Sequence, residues 1–349
     1  CRQNHGCSSP DHPERANYPS RLLDVGMGED EIITLQSTGT FQNEEYVCLS
    51  HCWGKTRPLT LNGKTRAALT KGIDVAKLPQ TFQDAVKITR RLHIQYLWID
   101  SLCILQDDKS DWEVESGHMG YVYAGAVCTI AATVAKNSDG GLFSNRGDLL
   151  PPSRIDANFD ASRSWLADKV NGFLERQIDE APLNKRAWVS QERQLSRRIM
   201  HFGSQLFWEC YESQACEMYP VSLPDWALPD PNSDTAKLRE KLHHIADQPE
   251  SNMFSSSHPH ASKQGLDLNT YHAWSSFRDK YSKCELTHDG DKLVAIHGIA
   301  QRIGQATGDE LVAGLWRSRI AEELCWFKKR PATEPTKWRA PTWSWASTN

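Results

Sequence analysis

No apolar run in this sequence is long enough to cross a bilayer, and no charged segment followed by an apolar one opens it. Both absences argue against a membrane span and a secretory leader, so the expected location is cytoplasmic and no membrane partner is expected. Charge of one sign is also missing: the net charge is −4 with 24% charged residues, and Arg90-Arg91 and Arg197-Arg198 are isolated pairs. Without a basic stripe the chain does not have the footprint of a nucleic-acid binder. There is no internal repeat and no glycine-rich phosphate loop of recognised spacing, which weighs against a standard dinucleotide fold. The 10 cysteines are scattered, and Cys48, Cys128 and Cys210 lie in apolar strand-like runs, as reduced core thiols do and a disulfide framework does not.

What is present centres on Tyr96 to Asp108. Tyr96-Leu-Trp-Ile is apolar without alternation and breaks at Asp100, as expected of a strand covered on both faces in a parallel sheet. The carboxyl ends of such strands line the crevice where α/β proteins bind ligands, so Asp100, Ser101 and Cys103 stand where chemistry is usually found. An earlier strand, Glu45 to Trp53, ends in Ser50, His51, Cys52 and Trp53 before Gly54 turns the chain. Cys52 reads either as a nucleophile or as a packing or ligand-lining residue; its neighbour His51 points to the opposite face of a strand. Between the two strands, Phe82 to Leu92 has helical periodicity, and Thr81 with Asp84 resembles a capping box, giving a strand–helix–strand crossover.

Ser110-Asp-Trp-Glu113 reads as a second capping box, with Ser110 at the N-cap. Trp112, Glu115, Met119 and Val122 then share one face, which turns a carboxylate toward the core. Such a carboxylate is costly unless paired or used. Glu115 is therefore either ion-paired, with Arg146 or Arg186 as candidates, or functional. Gly117 and Gly120 in the same helix suggest close approach by a backbone or a ligand.

Ala126 to Thr133 reads as another strand, and Arg198 to Cys210 as a hairpin around Gly203-Ser204. Arg186, Trp188, Glu192 and Arg193 either orient a polyanionic ligand or form a salt-bridged helix face. Cys1, His5 and Cys7 have soft-ligand chemistry but lack a paired fourth donor, a weak zinc signal against a docked arm with incidental cysteines. Residues 247–269 read as a Ser-, His- and Pro-rich loop with His258 and His260 solvated. Residues 271–281, 291–307 and 310–327 are helical in pattern, and 342–346 reads as a last strand. The sequence starts on a cysteine and stops soon after Ser344-Trp-Ala-Ser, so a fragment of a longer protein is one reading of it.

Tyr46-Val-Cys-Leu-Ser-His-Cys-Trp-Gly, Leu78-Pro-x-Thr-Phe-x-Asp-Ala, Tyr96-Leu-Trp-Ile-Asp-Ser-Leu-Cys-Ile-x-Gln-Asp-Asp and Ala187-Trp-Val-x-Gln-Glu-Arg resemble, in order, the motifs of the HET (heterokaryon incompatibility) domain of filamentous fungi. The resemblance implies a self/non-self recognition protein that triggers cell death, with a remotely TIR-like, flavodoxin-like α/β core. The expected fold is thus a mostly parallel sheet flanked by helices, elaborated by a C-terminal α+β region packed on it. The expected divisions are an arm at 1–45, a HET core at 46–193 and a C-terminal region at 194–349.

Some TIR domains hydrolyse NAD with a helical glutamate beside the nicotinamide ribose. On that likeness Glu115 is the catalytic carboxylate, with Asp100 beside it. Ser50, His51, Trp53, Ser101, Cys103, Trp112, Arg186, Trp188 and Glu192 are ligand-binding candidates, NAD is the substrate, and no cofactor or metal is held. Two other readings stay open. One is a non-enzymatic death effector that self-associates through some of its 13 tryptophans; the other is a small-molecule enzyme of fungal secondary metabolism on a HET scaffold. The partners expected are a second copy of the chain and an upstream recognition protein.

Overall fold

The computed structural model describes residues 1, 5, 18–28, 30–41, 44–55, 58–143, 174–228, 238–242, 265–328, 335 and 337–348. They fall into two units, Cys1–Lys185 with Ser196–Asp230, and Arg186–Leu195 with Pro231–Asn349. His258, His260, Arg146 and Cys7 lie outside the described residues.

The first unit contains, in chain order, β1 (Arg21–Asp24), β2 (Ile32–Ser37), β3 (Tyr46–Ser50), α1 (Arg66–Lys71), β4 (Ile73–Asp74), α2 (Gln80–Arg91), β5 (Tyr96–Ile99), the single turn α3 (Asp100–Cys103), α4 (Lys109–Gly125), β6 (Cys128–Ala131), β7 (Arg198–Phe202), β8 (Leu206–Cys210) and β9 (Gln214–Cys216). Among the described residues nine strands form one sheet in the order β4-β2-β1-β5-β3-β6-β7-β8-β9. Strands β5, β3, β6 and β7 are parallel, with Val47 opposite both Leu97 and Cys128 and Ala131 opposite His201. The strands outside them pair antiparallel. The sheet is therefore mixed, where a mostly parallel one was expected. The cause is local: β8 returns from β7 through a tight turn, and the run Leu22 to Val25, read as part of an arm, supplies β1 against β5.

The continuous apolar strands are explained by burial on both faces: Val47, Cys48, Leu49, Leu97, Trp98 and Ile99 are fully buried. Helix α2 buries Phe82, Ala85 and Val86, the face its periodicity predicts. Thr81 and Asp84 do not form the expected capping box, because both are buried and hold the turn after β6. Thr81 Oγ1 accepts from Gly141 N at 3.1 Å, and Asp84 Oδ2 accepts from Leu142 N at 2.9 Å.

Helix α4 is capped by Asp108, whose side chain accepts from Ser110 N and Asp111 N, rather than by Ser110. Glu113 is consequently an exposed surface residue paired with Lys109 at 3.3 Å. The buried face is unaffected, because side-chain periodicity does not depend on which residue caps the helix. Glu115, Met119 and Val122 are buried and Val114 is exposed.

The second unit contains α5 (Val189–Leu195), α6 (Leu268–Tyr281), α7 (His297–Thr307), β10 (Leu311–Val312), β11 (Leu315–Trp316) and α8 (Ile320–Glu323). Its core packs Trp274 against Trp316, with ring centroids 5.4 Å apart, beside buried Phe277, Ile299 and Ile303. Residues 310–327 do not form the single helix their pattern suggests. Ala313 and Gly314 take positive φ of 50° and 91° and turn the chain into the β10–β11 hairpin. Residues 342–346 form no strand either; Trp345–Ser347 is a 3-10 turn capped by Ser344.

Candidate functional site

The parallel register brings the ends of β3 and β5 to one edge, since Leu49 lies opposite Ile99. The residues that follow, Ser50 to Trp53 and Asp100 with Ser101, are neighbours as a result. Asp100 Oδ1 accepts from Ser101 N at 2.7 Å, and Oδ2 accepts from Trp53 Nε1 at 2.9 Å. His51 Nδ1 stands 3.7 Å from Asp100 Oδ1, and its ring meets Phe82 edge-on with centroids 4.9 Å apart. The Ser50 carbonyl accepts from Ala132 N at 2.9 Å. Ser101 is fully buried, and its hydroxyl has no hydrogen-bond partner among the described residues.

Arg21 ties this edge to α4. Its Nε donates to the Cys103 carbonyl at 2.6 Å, and its Nη2 reaches the two oxygens of Asp111 at 2.8 and 2.6 Å. Asp111 Oδ2 also accepts from Leu105 N at 2.8 Å. One turn along the helix, Glu115 is 3% exposed, and its Oε1 is 3.7 Å from Arg21 Nη2. Among the described residues of the first unit, Glu115 is thus ion-paired with Arg21, while Arg146 lies outside the described residues. Burial pushes the Cys103 thiol up to about 12, with Arg21 lowering it and the charges of Glu115 and Asp100 raising it. Cys103 is therefore a neutral packing thiol and not a thiolate nucleophile. Trp53 and Trp112 are half-buried and offer ring surface. A Cβ added at Gly117 would meet nothing within 4 Å, so no close backbone neighbour among the described residues explains that glycine.

Arg186, Trp188 and Glu192 belong to the second unit. There Ala187 N donates to the Glu285 carbonyl at 2.9 Å, Trp188 Nε1 donates to Asp291 Oδ2 at 3.2 Å, and Glu192 is buried. Cys1 and His5 stand beside Cys210 of β8.

One polar network had no candidate in the sequence. Glu209 Oε2 of β8 lies 3.0 Å from His201 Nε2 of β7, and His201 Nδ1 lies 3.4 Å from Thr133 Oγ1 just beyond β6. The Glu209 carboxylate thus faces one ring nitrogen of His201 and the Thr133 hydroxyl faces the other, which fixes the plane of the imidazole. At 1%, 1% and 6% exposure for Thr133, His201 and Glu209, the chain of contacts locks three strands together. The available signal was a glutamate inside the apolar run Leu206 to Cys210, the same kind that marked Glu115.

No curated protein and no solved structure matches the chain. Residues 46–192 match the family model described as heterokaryon incompatibility protein (HET), a span that opens with β3 and contains Asp100, Arg21's partner Asp111 and Glu115. Its last residues, 186–192, fall in the second unit. Residues 46–192 are accordingly a HET (heterokaryon incompatibility) domain.

Proposed function

We propose that the HET domain hydrolyses NAD, with Glu115 as the catalytic carboxylate. The observation that carries this reading is a buried glutamate, 3% exposed, whose nearest cation is already bound to Asp111. A buried carboxylate that, among the described residues, has only a shared arginine is suited to meeting positive charge that develops elsewhere.

Hydrolysis of NAD develops such charge. The bond from ribose C1′ to the pyridinium nitrogen breaks, its electron pair neutralises that nitrogen, and nicotinamide leaves without needing a proton. The ribose becomes oxocarbenium-like, a water oxygen bonds to C1′, and the water proton passes to solvent, giving ADP-ribose. Glu115 stabilises the sugar cation, Asp100 and Ser101 supply polar groups at the strand ends, and Trp53 and Trp112 offer stacking surfaces.

The strand order supports a TIR- and flavodoxin-like comparison. In chain order the parallel strands β5-β3-β6-β7 read 2-1-3-4, and sheets of that order bind ligands beyond the strand ends where the order reverses. On this reading the enzyme acts in the cytoplasm, and loss of NAD is the route to cell death.

The test is incubation of concentrated protein with NAD and chromatography for nicotinamide. Wild type is expected to release it and folded Glu115→Gln to be at least about 100-fold slower, the scale of losing one electrostatic stabiliser. No release by wild type, even when assembled, would remove the reading.

A second reading is favoured by the exposure of Phe327 (74%), Trp338 (81%) and Trp343 (42%) in the second unit. These aromatics are candidates for self-association. Glu115→Gln leaves assembly intact on either reading, whereas Phe327→Ser with Trp338→Ser lowers it only on this one, as sedimentation would record.

A further inference from the structure

The N-terminal Cys1 and His5 are separated from Cys210 by most of the chain, yet the three meet at one point. Cys1 Sγ, a His5 ring nitrogen and Cys210 Sγ all lie within 4.8 Å of one another, and Cys210 Sγ is 3.4 Å from His5 Nδ1. All three residues belong to the first unit.

We infer that Cys1, His5 and Cys210 form a zinc-class metal site that fastens the start of the chain to β8. The chemistry of the donors is the first reason: two thiolates and an imidazole are the borderline-soft set that zinc selects. Spacing is the second. With Zn–S near 2.3 Å and Zn–N near 2.05 Å, tetrahedral geometry separates a sulfur from a nitrogen by about 3.6 Å and two sulfurs by about 3.8 Å. The 3.4 Å Cys210–His5 separation is close to that value, and the remaining separations, at most 4.8 Å, need only small side-chain adjustment.

The surroundings are the third reason. Arg198 is directly opposite Cys210 in the β7–β8 ladder, and its Nε donates to Cys1 Sγ at 3.3 Å. Its Nη1 donates to the Val127 carbonyl at 3.1 Å, which fixes the guanidinium in place. An N–H···S bond from a held side chain is the outer-shell support that metal-bound thiolates commonly have. The His5 backbone N–H donates to the Cys1 carbonyl at 3.0 Å, which holds these two donor residues close to each other. Cys7 lies outside the described residues and is not counted among the donors; water or a further donor would complete the tetrahedron.

The site is independent of the NAD reading, and its test needs no activity. Full-length protein freed of any polyhistidine tag is dialysed against zinc and then metal-free buffer, and its metal is measured by mass spectrometry. The same protein loaded with Co²⁺ is examined by absorption. About one zinc per chain is expected, with intense visible cobalt bands and a near-ultraviolet thiolate charge-transfer band. His5→Ala and Cys1→Ser, at partly exposed positions that spare the core, are expected to lower zinc affinity at least tenfold with circular dichroism unchanged; Cys210→Ser is expected to do the same if it folds. Arg198→Gln is expected to weaken binding about 10-fold, the range for outer-shell partners. Protein that retains no zinc, zinc retained equally by His5→Ala and Cys1→Ser, or a Cys1–Cys210 disulfide in protein prepared under reducing conditions would each overturn the site.

Discussion

Arg21 Nη2 lies 2.6 Å from Asp111 Oδ2 and 3.7 Å from Glu115 Oε1, so one guanidinium is committed to the first carboxylate and shared with the second. Asp111→Asn removes the stronger claim. Arg21 is then expected to close onto Glu115 in a tight, charge-assisted pair. On the NAD reading this neutralises the carboxylate that the sugar cation needs, and hydrolysis is expected to fall about 10-fold or more, while Glu115 itself is untouched. Nicotinamide release by folded Asp111→Asn at the wild-type rate would sink this account of the pair.

Arg21→Met removes the cation from both carboxylates and from the Cys103 carbonyl. The side chains of Arg21 and Asp111 are only 12% and 19% exposed, so water compensates incompletely. A loss of about 2–4 kcal/mol is expected in urea or guanidinium unfolding, the scale of breaking a mostly buried pair from one side. Combining it with Asp111→Asn is expected to cost less than the sum of the two, because the pair is then removed as a unit.

The Cys103 thiol, held up to about 12 by burial, is expected to stay unalkylated in native protein at pH 8, while exposed Cys325 reacts first. Peptide mapping after brief iodoacetamide treatment reads this directly. Early modification of Cys103 would mean that the strand-end turn opens readily.

Glu323 in the second unit is fully buried against Arg278, and burial pushes its carboxyl from 4.5 up to about 7 against the lowering effect of that arginine. The folded state therefore holds this proton more tightly than the unfolded chain does. Its contribution to stability is full below about 4.5 and is lost as pH rises through about 7. Wild type is expected to lose of order 1–3 kcal/mol over that window relative to Glu323→Gln, whose neutral amide does not titrate. Parallel slopes of stability against pH for the two proteins would rule this out.

These residues also mark what the sequence reveals and where it stops. Tyr96 to Ile99 was readable as a doubly covered strand because an unbroken apolar run needs cover on both faces. The inward register of Glu115 was readable from its spacing to Trp112, Met119 and Val122, even with the cap assigned to Ser110. Asp108 and Ser110 are both good caps, and face periodicity is indifferent to which one serves. Arg21 could not be assigned to Asp111, because that contact exists only once β1 has paired with β5. His201, Glu209 and Thr133 depend in the same way on the register of β6, β7 and β8, and Cys210 on where the chain start docks. In Glu310 to Phe327 a helical apolar pattern was overruled by two left-handed residues, Ala313 and Gly314.

The turn after β3 provides the last prediction. Gly54 has φ of +82°, where a side chain is strained, and a Cβ built on it would lie 2.4 Å from Asn137 Cβ and 3.2 Å from Asn137 Cα. Neither atom is the far end of a flexible side chain, so the backbone must shift. Gly54→Ala is expected to cost about 2–3 kcal/mol, of which 1–2 kcal/mol is the left-handed conformation itself. The shift also falls on Trp53, whose indole N–H holds Asp100 at 2.9 Å. A loosened Trp53 should therefore show as red-shifted, more quenchable tryptophan emission. Trp53→Phe gives the control: it removes the bond to Asp100 at a cost of about 1 kcal/mol and leaves the turn unstrained. If Gly54→Ala were as stable as wild type, the tight approach of the β3 turn to Asn137 would not exist in solution, and Gly54 would no longer explain how Trp53 is held against Asp100.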